Sequence, residues 1–106
     1  MTRHGIPLDG SVFTARYQGE PLRRGRVRFL RQRRYLARFV GYQGATGRMR
    51  FEFSPELVCG GDPAVAGVTY RDVWSFMREW AVVTSVPATG EDRARFSRPG
   101  LTASKA

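Results

Sequence analysis

One cysteine, one histidine and one lysine in 106 residues remove several kinds of chemistry at once. With Cys59 alone there is no internal disulfide, and a thiolate metal cage has too few ligands. A Ser-His-Asp or Cys-His centre would have to be built on His4, close to the N-terminus. No window approaches the ~20 apolar residues of a membrane span, and the opening MTRHGI lacks the apolar run of a signal peptide. The expectation is a soluble protein of a bacterial cytoplasm. Carboxylates are sparse and scattered, with Glu52, Glu56, Asp62, Asp72 and Glu79 well apart in sequence. A metal-dependent nuclease needs clustered acids. The chain therefore reads as a non-enzyme with no cofactor and no metal, and a nuclease is the most distant alternative.

The most informative absence is local. Residues 23–50 contain ten arginines and no acid: Arg23, Arg24, Arg26, Arg28, Arg31, Arg33, Arg34, Arg38, Arg48 and Arg50. The residues before them balance in charge and those after them sum to −1, so the formal +9 arises in this segment. Like charges at this density repel and cost stability, and a polyanion is their natural counterpart. The bland alternative is a solvated sheet face. Arginine accounts for seventeen of the eighteen bases. Its planar fork grips phosphate bidentately and stacks on bases, as lysine cannot.

What remains is the composition of a folded domain, 42% apolar and 12% aromatic. Pro7 to Gly10 reads as a turn, and Ser11 to Gln18 as a strand with Phe13, Ala15 and Tyr17 on one side. Arg26 to Arg31 alternates as a strand, with the bend at Gln32-Arg33-Arg34. Tyr35 to Tyr42 favours a strand, although a helix over 29–40 is its rival. Gln43 to Gly47 has hairpin length, and Arg48 to Ser54 shows the cleanest alternation, Met49, Phe51 and Phe53 against Arg48, Arg50 and Glu52. A loop follows from Pro55 to Gly67. A helix is then expected from Thr69, with Asp72 completing a capping box, to Pro87. Its core stripe would be Tyr70, Val73, Trp74, Met77, Trp80, Ala81 and Thr84. The expected fold is α+β: a small antiparallel sheet of about four strands with one long C-terminal helix packed across it. Residues 1–87 would form the domain and 88–106 a flexible basic tail.

Aromatic residues interleave with the arginines, and a basic groove with stacking platforms is how single strands are held without sequence readout. Phe29, Phe39, Phe51 and Phe53 are expected in the core, which leaves Tyr35 and Tyr42 as the platform candidates. Arg48 and Arg50 should share the outer face of their strand, Arg26 and Arg28 should share another, and Arg33 and Arg34 should project at the bend. The glycines of 41–47 lack a GK[ST] ending and read as a turn rather than a phosphate loop.

The run RRGRVRFLRQRR (Arg23–Arg34) and the compact sheet-plus-helix layout through Pro87 resemble the small anti-CRISPR proteins of phages and mobile elements, among them those acting on type I (Cascade) systems. The chain departs from the many acidic, DNA-mimicking members in the sign of its charge. The resemblance implies an inhibitor that grips exposed nucleic acid of a targeting complex, or an acidic patch on one of its subunits. Single-stranded nucleic acid is the favoured partner, and docking on an acidic protein surface is the alternative.

Overall fold

The computed structural model describes residues 2–56 and 64–96. The first half runs β1 (Thr2–Arg3), β2 (Ile6–Pro7), β3 (Phe13–Tyr17), β4 (Leu22–Arg24), β5 (Val27–Phe29) and β6 (Arg34–Tyr42). The second half runs β7 (Met49–Pro55), β8 (Ala66–Tyr70), α1 (Val73–Glu79), β9 (Trp80–Val83) and α2 (Gly90–Arg95). Five strands form one sheet in the order β8-β7-β6-β3-β9, antiparallel at every junction. The strands β1 and β2 form one small ribbon, and β4 and β5 form another.

Side-chain alternation builds the core on one face of the sheet. β3 contributes Phe13, Ala15 and Tyr17, β6 contributes Tyr35, Ala37 and Phe39, and β7 contributes Met49, Phe51 and Phe53, all buried. Helix α1 lays Val73 and Phe76 on this face, with the Phe51 and Phe76 rings 4.5 Å apart. Phe53 stacks on Trp80 at 4.2 Å with the planes 7° apart. Residues 71–79 carry the chain from Tyr70 on one edge strand to Trp80 on the other, yet Trp80 Nε1 donates to Tyr70 Oη at 2.7 Å. Flat edges four strand spacings apart would lie about 19 Å from each other. The sheet is therefore strongly curled, and α1 closes its mouth.

This is a mostly β protein, and the expected long C-terminal helix across the sheet does not form. The helix lasts from Val73 to Glu79, with Asp72 rather than Thr69 as its N-cap, accepting from Ser75 N at 2.9 Å. Thr69 lies in β8. Trp80 takes up φ −135° and ψ 141°, and Trp80–Val83 pair with β3 along its open edge. The helical spacing of Trp80, Ala81 and Thr84 was real, but the paired valines suit a strand and the exposed backbone of β3 offered a partner. The shortened helix turns Val73 and Phe76 inward, which leaves Trp74 and Met77, expected in the core, exposed at 58% and 38%.

The rivalry over residues 29–40 resolves as strand. Of the strand expected over Arg26–Arg31, only Val27–Phe29 forms, and it pairs with β4 rather than with the main sheet. Part of the expected tail is ordered. Thr89 and Asp92 make a reciprocal capping box for α2, and Arg95 and Phe96 are buried. Arg95 Nη1 donates to Ser54 Oγ at 3.0 Å and to the Pro55 carbonyl, so α2 covers the outer face of the sheet there. Residues 97–106, and the loop residues around Cys59, lie outside the described residues.

Burial holds the Tyr70 phenol well above its ordinary pKa of 10.0. Neutral, it donates to Glu79 Oε1 at 2.9 Å while accepting from Trp80. Above pH ~10 the unfolded chain releases this proton and the folded chain keeps it, so folding stability falls as pH rises further. Urea titrations between pH 8 and 11 should show that decline, and Tyr70→Phe should make it shallower. An unchanged slope in the variant would contradict the assignment.

Candidate nucleic-acid interface

The arginine block folds into two surfaces that differ in how far their charge is paired. The first is the β4–β5 ribbon and the return to β6. Arg24 pairs with Val27, leaving Gly25 and Arg26 as a two-residue turn, and Gly25 has φ +60°. A glycine with positive φ at the first turn position matches the right-handed twist of a tight hairpin. One side of the ribbon is spent on the core. Val27 and Phe29 are buried, and Phe29 meets Tyr17, Tyr35, Phe53 and Trp80 at 5.3–5.6 Å between ring centres.

The other side of the ribbon is charge. Arg23 stands directly across from Arg28, both exposed, and with Pro21, Leu22 and Leu30 they line a shallow, open depression of about 340 Å³. Like charges facing each other across a ribbon are destabilising. Arg31 approaches Glu20 at 4.0 Å, but both side chains are largely in water, where such a pair contributes little. Among the described residues, no carboxylate is within ion-pair reach of Arg23, Arg24, Arg28 or Arg33. Arg33 is exposed on the return loop, beyond Gln32 in the left-handed region at φ 69°. Arg26 is at the tip of the turn, out of the strand, so it does not share a strand face with Arg28 as the alternation suggested.

Tyr35 is not a stacking platform. It is fully buried, and its hydroxyl accepts from Leu30 N and donates to the Arg28 carbonyl, both at 2.7 Å. That phenol latches the backbone on either side of Phe29, so Tyr35 positions Arg28 from inside the core. The hydroxyl that suggested exposure is instead satisfied by the backbone it holds. Tyr17 does similar work at the base, donating to the Glu20 carbonyl at 2.6 Å. Gly19 beneath it has no room for a Cβ, which would sit 2.8 Å from the Tyr17 oxygen.

The second surface is the outer face of β6 and β7, where Arg34 and Arg38 are paired with acids. Arg34 does not project but meets the buried Glu56 at 3.1 Å. Arg38 pairs with Glu52, directly across the strands, at 2.9 Å and lies over the Phe96 ring. Arg48 donates to Thr69 Oγ1 at 3.3 Å. Arg50 extends across Gly67, where a Cβ would collide with its guanidinium. The acids that pair with Arg34 and Arg38 lie outside the block in sequence and beside it in space, which composition alone could not reveal.

Tyr42 is exposed at 57%, resting edge-on against Phe39 at 5.1 Å. It is not part of the hairpin surface, since the nine residues of β6 set it about 26 Å from Arg34 at ~3.3 Å per residue. The ten arginines and two tyrosines thus do not form one groove. Six arginines gather at the hairpin end, four lie along the sheet face, and Tyr42 marks the far end. Comparisons of the chain with protein-family models, with curated proteins and with solved structures find no match.

The contrast between the two surfaces predicts opposite stability effects for the same charge reversal. Arg28→Glu places a carboxylate opposite Arg23 and should stabilise the fold at low salt by about 0.2–1 kcal/mol. Arg38→Glu places it opposite Glu52 and should destabilise by about 1 kcal/mol, the lost pair and the new repulsion together. Urea unfolding of both variants at 20 mM salt checks this, and effects of the same sign would contradict the division.

Proposed function

We propose that this protein is a non-enzymatic nucleic-acid-binding protein that takes the phosphate backbone on its arginine hairpin. The observation carrying the reading is the facing pair Arg23 and Arg28, held on a ribbon whose other side is locked into the aromatic core. Arg24, Arg26, Arg31 and Arg33 extend the cationic surface around the turn and its return. Phosphate oxygens accept from guanidinium forks and relieve the repulsion between them. A two-stranded ribbon also has dimensions that a duplex major groove admits, so phosphate contact here does not require an unpaired strand. With Phe29 and Tyr35 buried, the hairpin itself brings no base-stacking ring. Inhibition of a CRISPR-Cas complex, through nucleic acid exposed on it, is the biological setting that the anti-CRISPR resemblance adds, and it rests on that resemblance alone.

Fluorescence anisotropy with labelled single- and double-stranded oligonucleotides at 50 and 200 mM salt tests the proposal. Affinity should fall on the order of 10²-fold between the two salts for four phosphate contacts. Arg23→Glu/Arg28→Glu should abolish binding of the duplex and weaken that of the single strand, and Arg50→Glu should leave the salt slope unchanged. Parent protein that ignores both oligonucleotides at 50 mM salt would overturn the reading, and an acidic protein surface would then replace phosphate as the ligand to seek.

A further inference from the structure

At the far end of β6 the structure gathers a second surface that the arginine block did not announce. Tyr42 and Trp74 are the two most exposed large apolar side chains among the described residues, at 57% and 58%. Both line one open cavity of about 220 Å³, together with Arg3, Arg71, Met49 and Val73. The rings come from distant parts of the chain, Tyr42 from the end of β6 and Trp74 from the first turn of α1. Each is backed by another ring, Tyr42 by Phe39 at 5.1 Å and Trp74 by His4 at 4.5 Å.

The backing of Trp74 depends on a turn at the N-terminus. The β1–β2 ribbon reverses through His4 and Gly5, both with positive φ, 54° and 82°, as the tightest right-twisted hairpins require. Ile6, only 1% exposed, pins that ribbon to the core. The lone histidine, which in sequence had only a terminal position and no partner, is thereby held against the indole. Arg3, beside it, reaches the same cavity as Arg71. Arg71 approaches Asp72 at 3.6 Å, with its own side chain 77% exposed, and Asp72 is occupied in capping α1. The cavity thus offers two guanidinium groups against one engaged carboxylate.

We propose that the Tyr42–Trp74 cavity is a nucleotide subsite, in which a base stacks on the exposed rings and its phosphate is held by Arg3 and Arg71. Exposed aromatic faces recognise bases irrespective of identity, because every base presents a π-face. Arginine beside the rings adds the anion contact that distinguishes a nucleotide from a neutral aromatic ligand. The subsite rests on the nucleic-acid reading for its choice of ligand and supplies what the hairpin lacks, a contact available only to an unpaired base. Single-strand preference therefore resides here and not at the arginine hairpin.

Intrinsic fluorescence separates this site from the hairpin. Trp74 is exposed and Trp80 is 2% exposed, so a stacked base quenches Trp74 selectively. Adenosine monophosphate should quench the emission saturably, and Trp74→Phe should abolish the quenching. Tyr42→Ala should raise the apparent Kd roughly 5- to 150-fold, the range of a lost base–aromatic stack. Arg3→Ala/Arg71→Ala should weaken adenosine monophosphate and leave adenosine unchanged, while Arg23→Glu/Arg28→Glu should leave both unchanged. Absence of saturable quenching at millimolar nucleotide, or quenching indifferent to Tyr42→Ala in a protein with parental circular dichroism, would overturn the subsite. Long oligonucleotides still held by the hairpin in that case would leave the first proposal standing.

Discussion

The insertion of Phe29 among Tyr17, Tyr35, Phe53 and Trp80 is the contact on which the rest of the molecule depends. A two-stranded ribbon carrying facing arginines has no electrostatic reason to stay folded, and an isolated hairpin is marginal even without such repulsion. Burial of Val27 and Phe29 supplies the missing stability, since each buried apolar side chain contributes about 1.5–3 kcal/mol. The Tyr35 hydroxyl then fixes the strand on both sides of Phe29. The core thereby holds in one place a set of cations that would otherwise separate. A pre-arranged cationic surface loses less entropy on taking an anion than a flexible one.

The same core sets where the two ends of the molecule face. Phe53 and Trp80 stack beneath the hairpin, while Phe51 and Phe76 carry the packing on to α1 and Tyr70. Curling of the sheet over these rings brings the β9 edge within reach of β8, and pairing of β9 with β3 ends α1 early. That shortness exposes Trp74 rather than burying it. The aromatic cavity at the far end is thus a consequence of how the sheet closes.

The sequence was most legible where one rule governed both faces of an element. In β7 the period-two alternation placed Met49, Phe51 and Phe53 inside and Arg50 outside, as observed. Legibility failed where a distant partner decided the outcome. The stretch from Trp80 to Thr84 satisfied a helical spacing, and only the open edge of β3 made it a strand. The turn at Gly25-Arg26 was hidden because its glycine sits inside the arginine run, where charge and not chain reversal drew the eye. For the site, the block's net charge was readable but its division was not. Glu52 and Glu56 follow the block in sequence and reach back to Arg38 and Arg34 only once β6 and β7 pair. Tyr35 was misplaced because a phenol is tolerated at a surface, whereas here the backbone at Arg28 and Leu30 needed it inside.

The central claim is that the cationic surface is the hairpin and not the whole arginine block. The most direct measurement is a titration of the ¹⁵N-labelled protein with a short oligonucleotide, following the arginine Nε–Hε resonances by NMR. The account predicts that those of Arg23, Arg24, Arg28 and Arg33 shift with added oligonucleotide, while those of Arg34 and Arg38, held by Glu56 and Glu52, stay in place. Shifts centred on Arg34, Arg38, Arg48 and Arg50 with the hairpin unmoved would contradict it.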